Sequence, residues 1–285
     1  VASDTLVEEV HFPSDASAYQ IAQRTLCVNL SDMAAMGATP RWFMLALTLP
    51  HKKANEQWLK EFSAGLSEIA VDYNCALIGG DTTAGPLTIT ITMLGEVPLT
   101  EGLVRSGAIT GDRVYVTGFL GDGAAGLLAA KKTNTFKNMN KNVSERLLLK
   151  FYKPLPQINI GLKIRGLASA CIDISDGLVA DLGHICKSSG VTASVDSRRL
   201  PIHPDLASNF QDQCLDWALF GGDDYQLCFT VPAENYQMVD DWISRGELDA
   251  TWIGSIIPCS DNTSAVLVDG VKSPERARGF DHFVQ

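Results

Sequence analysis

The tightest constraint in this chain is residues 27–36, Cys-Val-Asn-Leu-Ser-Asp-Met-Ala-Ala-Met, which are apolar at nearly every position. Together with Ile21 and Leu26, the residues Leu30, Met33 and Met36 recur at helical spacing, which predicts a helix over 17–36 with Gly37 as its C-terminal cap. A helix that is apolar on most of its sides has no face to give to water and must be enclosed. The remaining chain therefore has to fold around it. Asn29 and Asp32 stand three residues apart on this helix and share a face. A carboxylate carried inside in this way needs a partner or a metal ion.

The rest of the sequence supplies material to enclose it. Residues 41–49 read as a strand closed by Pro50, residues 56–73 as an amphipathic helix, and 76–78 as a strand end leading into Gly79-Gly80-Asp81-Thr82-Thr83. Residues 87–93 alternate aliphatic and threonine strictly, which predicts a two-faced strand. A turn at 110–112 precedes a strand at 113–117, and a domain boundary is placed here, giving units 1–108 and 109–285. Gly121-Asp122-Gly123-Ala124-Ala125-Gly126 formally matches the dinucleotide fingerprint, but no second strand ending in an acid follows at the required distance. It reads as a strand-to-helix turn near phosphate at most. Residues 131–142 read as an exposed loop, 158–167 as a helix, and 169–178 as a strand ending in Asp173, Ser175 and Asp176 ahead of another helix. Further strands or short elements are expected at 191–195 and 216–220, a strand at 227–231, a helix at 236–244, and short strands at 251–257 and 265–268.

Two apolar-Gly-Gly-Asp stretches, at 77–81 and 220–223, suggest one such turn for each half of the chain. Taken alone, they read as ordinary turns ahead of any function. Asp4, Asp32, Asp81, Asp173 and Asp176 each sit beside Ser, Thr or Gly, mostly at the end of an apolar element. Gathered in space they would repel one another unless cations lay among them. Hard oxygen donors suit Mg²⁺, and several Mg²⁺ ions could bridge carboxylates to phosphates. The formal net charge of −10 disfavours nucleic acid as a partner. No apolar run approaches membrane-spanning length, and seven scattered cysteines without a Cys-x-x-Cys pair indicate a reducing compartment, read as cytoplasmic. P-loop, protein-kinase and α/β-hydrolase signatures are absent. The residues by themselves thus indicate a metal-dependent, phosphate-handling enzyme.

Segments 3–7, 28–38, 77–83, 105–107, 172–178 and 221–230 occur in the same order in bacterial thiamine-monophosphate kinases, which the chain resembles over essentially its whole length. The resemblance implies an α/β protein with mixed sheets, two domains of the aminoimidazole ribonucleotide synthetase type, and a homodimer formed through the N-terminal sheets. It implies ATP and several Mg²⁺ in an inter-domain cleft and direct in-line transfer of the γ-phosphoryl group to thiamine monophosphate, giving thiamine diphosphate. On this pattern Ser3, Asp4, Asp32, Asp81, Asp173 and Asp176 hold metal. Gly80, Asp81, Arg105 and Ser175 contact ATP, and His11, Asp223 and Phe280 contact the acceptor. The superfamily also contains enzymes acting on a purine intermediate and in selenophosphate or carbamoyl chemistry, so a second enzyme class stays open, as does a non-catalytic Mg-nucleotide-binding module.

The chain departs from the family at three positions and at its start. Asp223 and Gln226 stand where Glu is usual, and Gln157 where Arg commonly follows Pro-x-Pro, which puts a phosphate role for residue 157 in doubt. The family's upstream Gly-Asp-Asp-Ala segment, whose aspartate also binds metal, precedes the point where this sequence starts. The resemblance therefore implies weak ATP binding and little activity for residues 1–285 alone, an expectation that normal turnover by this chain would refute.

Overall fold

A computed structural model describes residues 1–136, 139–259 and 264–273. Strand β1 (Ala2–Val7) leads to helix α1 (Ala18–Ala35), then β2 (Thr39–Leu49), α2 (Glu56–Asp72), β3 (Ala76–Ala84) and β4 (Thr88–Glu96). These strands form one mixed sheet in the order β1-β4-β2-β3, with β2 and β3 parallel and the other pairs antiparallel. The strict alternation of β4 divides the two faces. Ile89, Ile91 and Met93 are fully buried on the helix side, while Thr90 and Thr92 meet Thr5 and Ser3 of β1 on the outer side through hydroxyl hydrogen bonds.

The second unit runs β5 (Arg113–Thr117), α3 (Asp122–Ala130), α4 (Lys141–Tyr152), α5 (Ile158–Lys163), β6 (Ala170–Asp173), α6 (Leu178–Ser189), β7 (Thr192–Val195), α7 (Pro204–Asn209), α8 (Cys214–Phe220), β8 (Leu227–Val231), α9 (Tyr236–Ser244), β9 (Ala250–Ile257), β10 (Val266–Val268) and β11 (Val271–Lys272). Its sheet has the order β11-β10-β7-β9-β5-β8-β6.

Helix α1 explains why the two units adhere. Ser17 caps it in a reciprocal capping box with Gln20, and Gly37 follows in the left-handed region at φ 61°. Residues from Ile21 to Ala35 are buried almost without interruption, because α1 lies between its own sheet and α2 on one side and α5, β6 and the end of α4 on the other. One continuous apolar cluster accordingly runs from Leu6, Ile91 and Phe62 through α1 to Cys171, Phe229 and Val231 of the second sheet. At the α1–α5 crossing the backbones touch: a Cβ on Gly161 would stand 2.1 Å from the Ala34 carbonyl oxygen.

Four local expectations change. Residues 77–83 do not end a strand in a turn, because β3 continues through both glycines to Ala84 as an exposed edge strand paired with β2. Gly80 is needed there because its φ is 150° and a Cβ would lie 1.9 Å from the Leu45 carbonyl oxygen. Residues 216–220 form the end of α8 rather than a strand: Cys214, Ala218 and Leu219 are buried at helical spacing while Asp216 opens the first turn. The helix expected over 158–167 stops at Lys163. Within 131–142 a 3-10 turn occupies Asn134–Phe136, and α4 starts at Lys141.

The α1–α5 contact yields a paired test. Gly161→Ala should destabilise the protein by ~1–3 kcal/mol through overpacking against the α1 backbone. Gly183→Ala, on α6 with nothing within 4 Å of the added Cβ, should be neutral or stabilising by up to ~1 kcal/mol. Equal urea-unfolding midpoints for the two variants would contradict the close backbone approach.

Candidate active site

Strand alternation decides which residues of β1 face α1. Asp4 lies opposite Ile91 in the ladder and shares its inner face, whereas Ser3 and Thr5 turn outward. Asn29 of α1 fixes the strand from the other side, its Oδ1 accepting the Asp4 backbone N–H at 3.1 Å while its Nδ2 donates to the Thr25 carbonyl. Ser31, also on α1, donates to Asp173 Oδ2 at 2.8 Å at the end of β6. The polar residues of the apolar helix are therefore its connections to the strands on either side.

These contacts bring Asp4, Asp32, Asp173 and Asp176 to the wall of one cavity of about 520 Å³, with His11, Ser175, Asp223 and Tyr225 further along it. A second cavity of about 530 Å³ contains Arg105, Ser106 and Leu103, and Asp32 lines both. Burial, then Asp173 and Asp4, pushes the Asp32 carboxyl up to about 8. Burial raises Asp173 to about 6, although its hydrogen bond from Ser31 opposes the shift. Asp4 is raised as well, by burial first, and shares a side-chain hydrogen bond with Asp32. Such crowding favours either retained protons or a bound cation.

Two buried carboxylates that the sequence reading passed over hold the turns of this site. Asp181 Oδ2 accepts the backbone N–H groups of Ser175, Asp176 and Gly177 at 3.0, 3.0 and 3.1 Å. Asp224 accepts those of Gly121 and Gly123 at 2.7 and 2.9 Å. The fingerprint-like glycine turn is thus saturated by an internal carboxylate, and the expectation that it lies near phosphate has no free amide of these two residues to support it. The spacing of Asp181 four residues into α6 from Gly177 was the available signal for the first. Asp224 is long-range and left none.

The second Gly-Gly-Asp stretch is built differently from the first. Residues 221–226 lie along 174–177, with Asp223 N–H donating to the Ser175 carbonyl and Tyr225 N–H to that of Ile174. A Cβ on Gly222 would stand 2.4 Å from the Ser175 oxygen. Asp223 and Tyr225 both adopt positive φ, 70° and 51°, a costly backbone for a tyrosine that the surrounding contacts hold in place. The family departures Gln157 and Gln226 prove to be partners, Gln157 Nε2 donating to Gln226 Oε1 at 3.0 Å. Gln226 is buried, so a neutral pair at these positions leaves no unbalanced charge inside.

The remaining sequence candidates fall elsewhere. Asp81 and Gly80 are exposed on β3, and the in-register row Asp4, Ile91, Leu45, Gly80 puts three ladder steps, roughly 14 Å, between them and β1. The Ser3 hydroxyl is on the outer face, donating to the Ile91 carbonyl and paired with Thr92. His11 accepts the Val7 N–H on Nδ1 at 2.9 Å and lines the first cavity. Phe280 lies outside the described residues. Among the described residues no three Asp, Glu, His or Cys side chains stand close enough to form a ready-made metal cluster. The donor set nevertheless fits Mg²⁺, which retains water and binds through one or two carboxylates plus substrate phosphates rather than in an all-protein cage.

Residues 1–97 match the N-terminal domain of AIR synthase related proteins and residues 110–266 their C-terminal domain. The thiamine-monophosphate kinase of Buchnera aphidicola subsp. Schizaphis graminum is 40% identical over 285 residues, covering 100% of this chain and 87% of that protein. The crystal structure of the thiamine-monophosphate kinase from Stenotrophomonas maltophilia K279a is 41% identical with a TM-score of 0.87, over 95% of this chain and 85% of that one. A structure of AaThiL complexed with AMPPCP and TMP is 32% identical with a TM-score of 0.87, over 99% and 86% of the two chains. With this fold, this order of domains and these identities over nearly its full length, the chain belongs to the thiamine-monophosphate kinase family.

Proposed function

We propose that the protein phosphorylates thiamine monophosphate to thiamine diphosphate at the expense of ATP, by direct in-line transfer. The observation that carries this is the meeting of two cavities at Asp32, one with Arg105 and the other with Asp4, Asp173 and Asp176, in a member of this kinase family. ATP occupies the Arg105 side, with Ser175 near its phosphates, and the acceptor the side of His11 and Asp223. The acceptor phosphate is already anionic, so no general base is required, and alignment with charge neutralisation carries the rate. Mg²⁺ held by Asp4, Asp32, Asp173 and Asp176 supplies that neutralisation when bound. Arg105 adds positive charge toward the same carboxylates, since it opposes the raised pKa of both Asp32 and Asp173.

The protein acts as a homodimer. Strands β1 and β3 are the two edges of the N-terminal sheet, and exposed edges call for cover. Trp42, Met44, Leu77 and Ile78 of β2 and β3 are 41–57% exposed. Pairing β3 of a second copy with β1 of the first covers both edges by two-fold symmetry and sets Gly80 and Asp81 of one copy beside Asp4 of the other. The outward Ser3 hydroxyl then lies in the joined sheets. The buried thiols of Cys27, Cys75, Cys171, Cys186, Cys214 and Cys228, none of them in a disulfide, support a reducing cytoplasmic setting.

Two experiments test these assignments in the full-length protein. Asp173→Asn and Asp81→Asn should each lower kcat by about two orders of magnitude or more with the fold retained by circular dichroism. If Asp81 serves the neighbouring copy, mixing the two inactive variants through reversible unfolding should return about a quarter of wild-type activity, since half the dimers then hold one intact site. No recovery would place Asp81 outside the site of its partner. The second is a pH test. Asp32 binds a proton in the folded protein up to about pH 8, and the unfolded chain releases it near pH 4. The folded state thus binds more protons across that window, and metal-free stability falls as pH rises through it. Mg²⁺ substitutes for those protons, so the Tm gain on adding Mg²⁺ should be small near pH 5 and grow toward pH 8. A gain independent of pH would refute the carboxylate site.

A further inference from the structure

Arg24 is the one arginine or lysine among the described residues lining the acidic cavity, and no role described above uses it. It sits on α1, is 2% exposed, and reaches across to the second unit. Its Nη1 donates to the Phe151 carbonyl at 2.7 Å and its Nη2 to Asp223 Oδ1 at 2.5 Å. The guanidinium lies 4.0 Å over the Phe151 ring. Its Nε is buried and has no hydrogen-bond partner among the described residues. Tyr225 Oη also donates to Asp223 Oδ1, at 3.2 Å. Both contacts fall on the same oxygen, so Asp223 Oδ2 has no donor among the described residues, on a side chain 20% exposed that lines the cavity.

We infer that Arg24, with Tyr225, is a positioning residue for acceptor recognition: it holds the Asp223 carboxylate in one orientation, with Oδ2 presented to a hydrogen-bond donor or positive charge on the acceptor. This rests on the functional reading above. Without the guanidinium, the Asp223 carboxylate would be left half-enclosed beside Asp224 with no counter-charge, and would be free to rotate. Because the clamp is reached from α1, the acceptor end of the site also registers the docking of the two units on each other. Arg24 is not among the described residues that line the cavity containing Arg105.

Steady-state kinetics on the full-length protein with saturating Mg²⁺ test this. Arg24→Gln should raise KM for thiamine monophosphate about tenfold or more while KM for ATP changes less than about twofold. Arg24→Lys, which keeps the charge toward Asp223, should recover part of the loss and serves alone if the glutamine variant does not fold. Arg24→Gln combined with Asp223→Asn should be no worse for the acceptor KM than Asp223→Asn by itself, because Arg24 acts through that carboxylate. An unchanged acceptor KM, an equal rise in both KM values, or multiplicative effects in the double variant would each overturn the inference. A wild-type protein that does not phosphorylate thiamine monophosphate would overturn the functional reading first, and this inference with it.

Discussion

Everything in this molecule is arranged around a helix that cannot face water. α1 is apolar on nearly all sides, so a single sheet and a single helical layer cannot satisfy it. The first unit covers one side with β4, β2 and α2, and the second covers the other with α5 and β6. The two halves consequently share one apolar core. The site lies against this shared helix because α1 is where elements of both units come within reach of the same residues.

The few polar side chains of α1 then determine the geometry. Asn29 ties down the Asp4 backbone, Ser31 ties down Asp173, and Arg24 ties down Asp223 and the end of α4. Asp32 remains between two cavities with its carboxyl destabilised as an anion. Below the cavity, Asp181 and Asp224 each gather the amides of a strand-to-helix turn, so those turns are positioned by buried carboxylates within the protein. The arrangement concentrates negative charge that the fold alone does not neutralise. Such a site is suited to phosphate chemistry in which cations and a nucleotide arrive together.

Much of this was legible from residue pattern. The α1 periodicity, its Ser17 start and Gly37 stop, the alternation of β4, and the strand carrying Asp173 are short-range signals that the fold preserves. Edge strand β3 and helix α8 were misread because glycine pairs and short apolar runs look alike in turns, strands and single helical turns. Only the pairing partner, β2 for β3, or the neighbouring packing, α6 and α3 for α8, separates them.

By itself the sequence determined that α1 must be buried, that Asp4, Asp32, Asp173 and Asp176 sit beside Ser, Thr or Gly, mostly at the ends of apolar elements, and that the ordered motifs resemble one kinase family. Tertiary structure decided which of these residues meet. The alternation of β1 turns Asp4 toward α1 and Ser3 away from it, the sheet order holds Asp81 three strands from Asp4, and the contacts of Arg24 and Asp224 join positions tied by no local period. Local periodicity reports which side of an element is enclosed, because burial acts residue by residue. It cannot report what encloses that side, because contacts between distant segments depend on how complete elements pack.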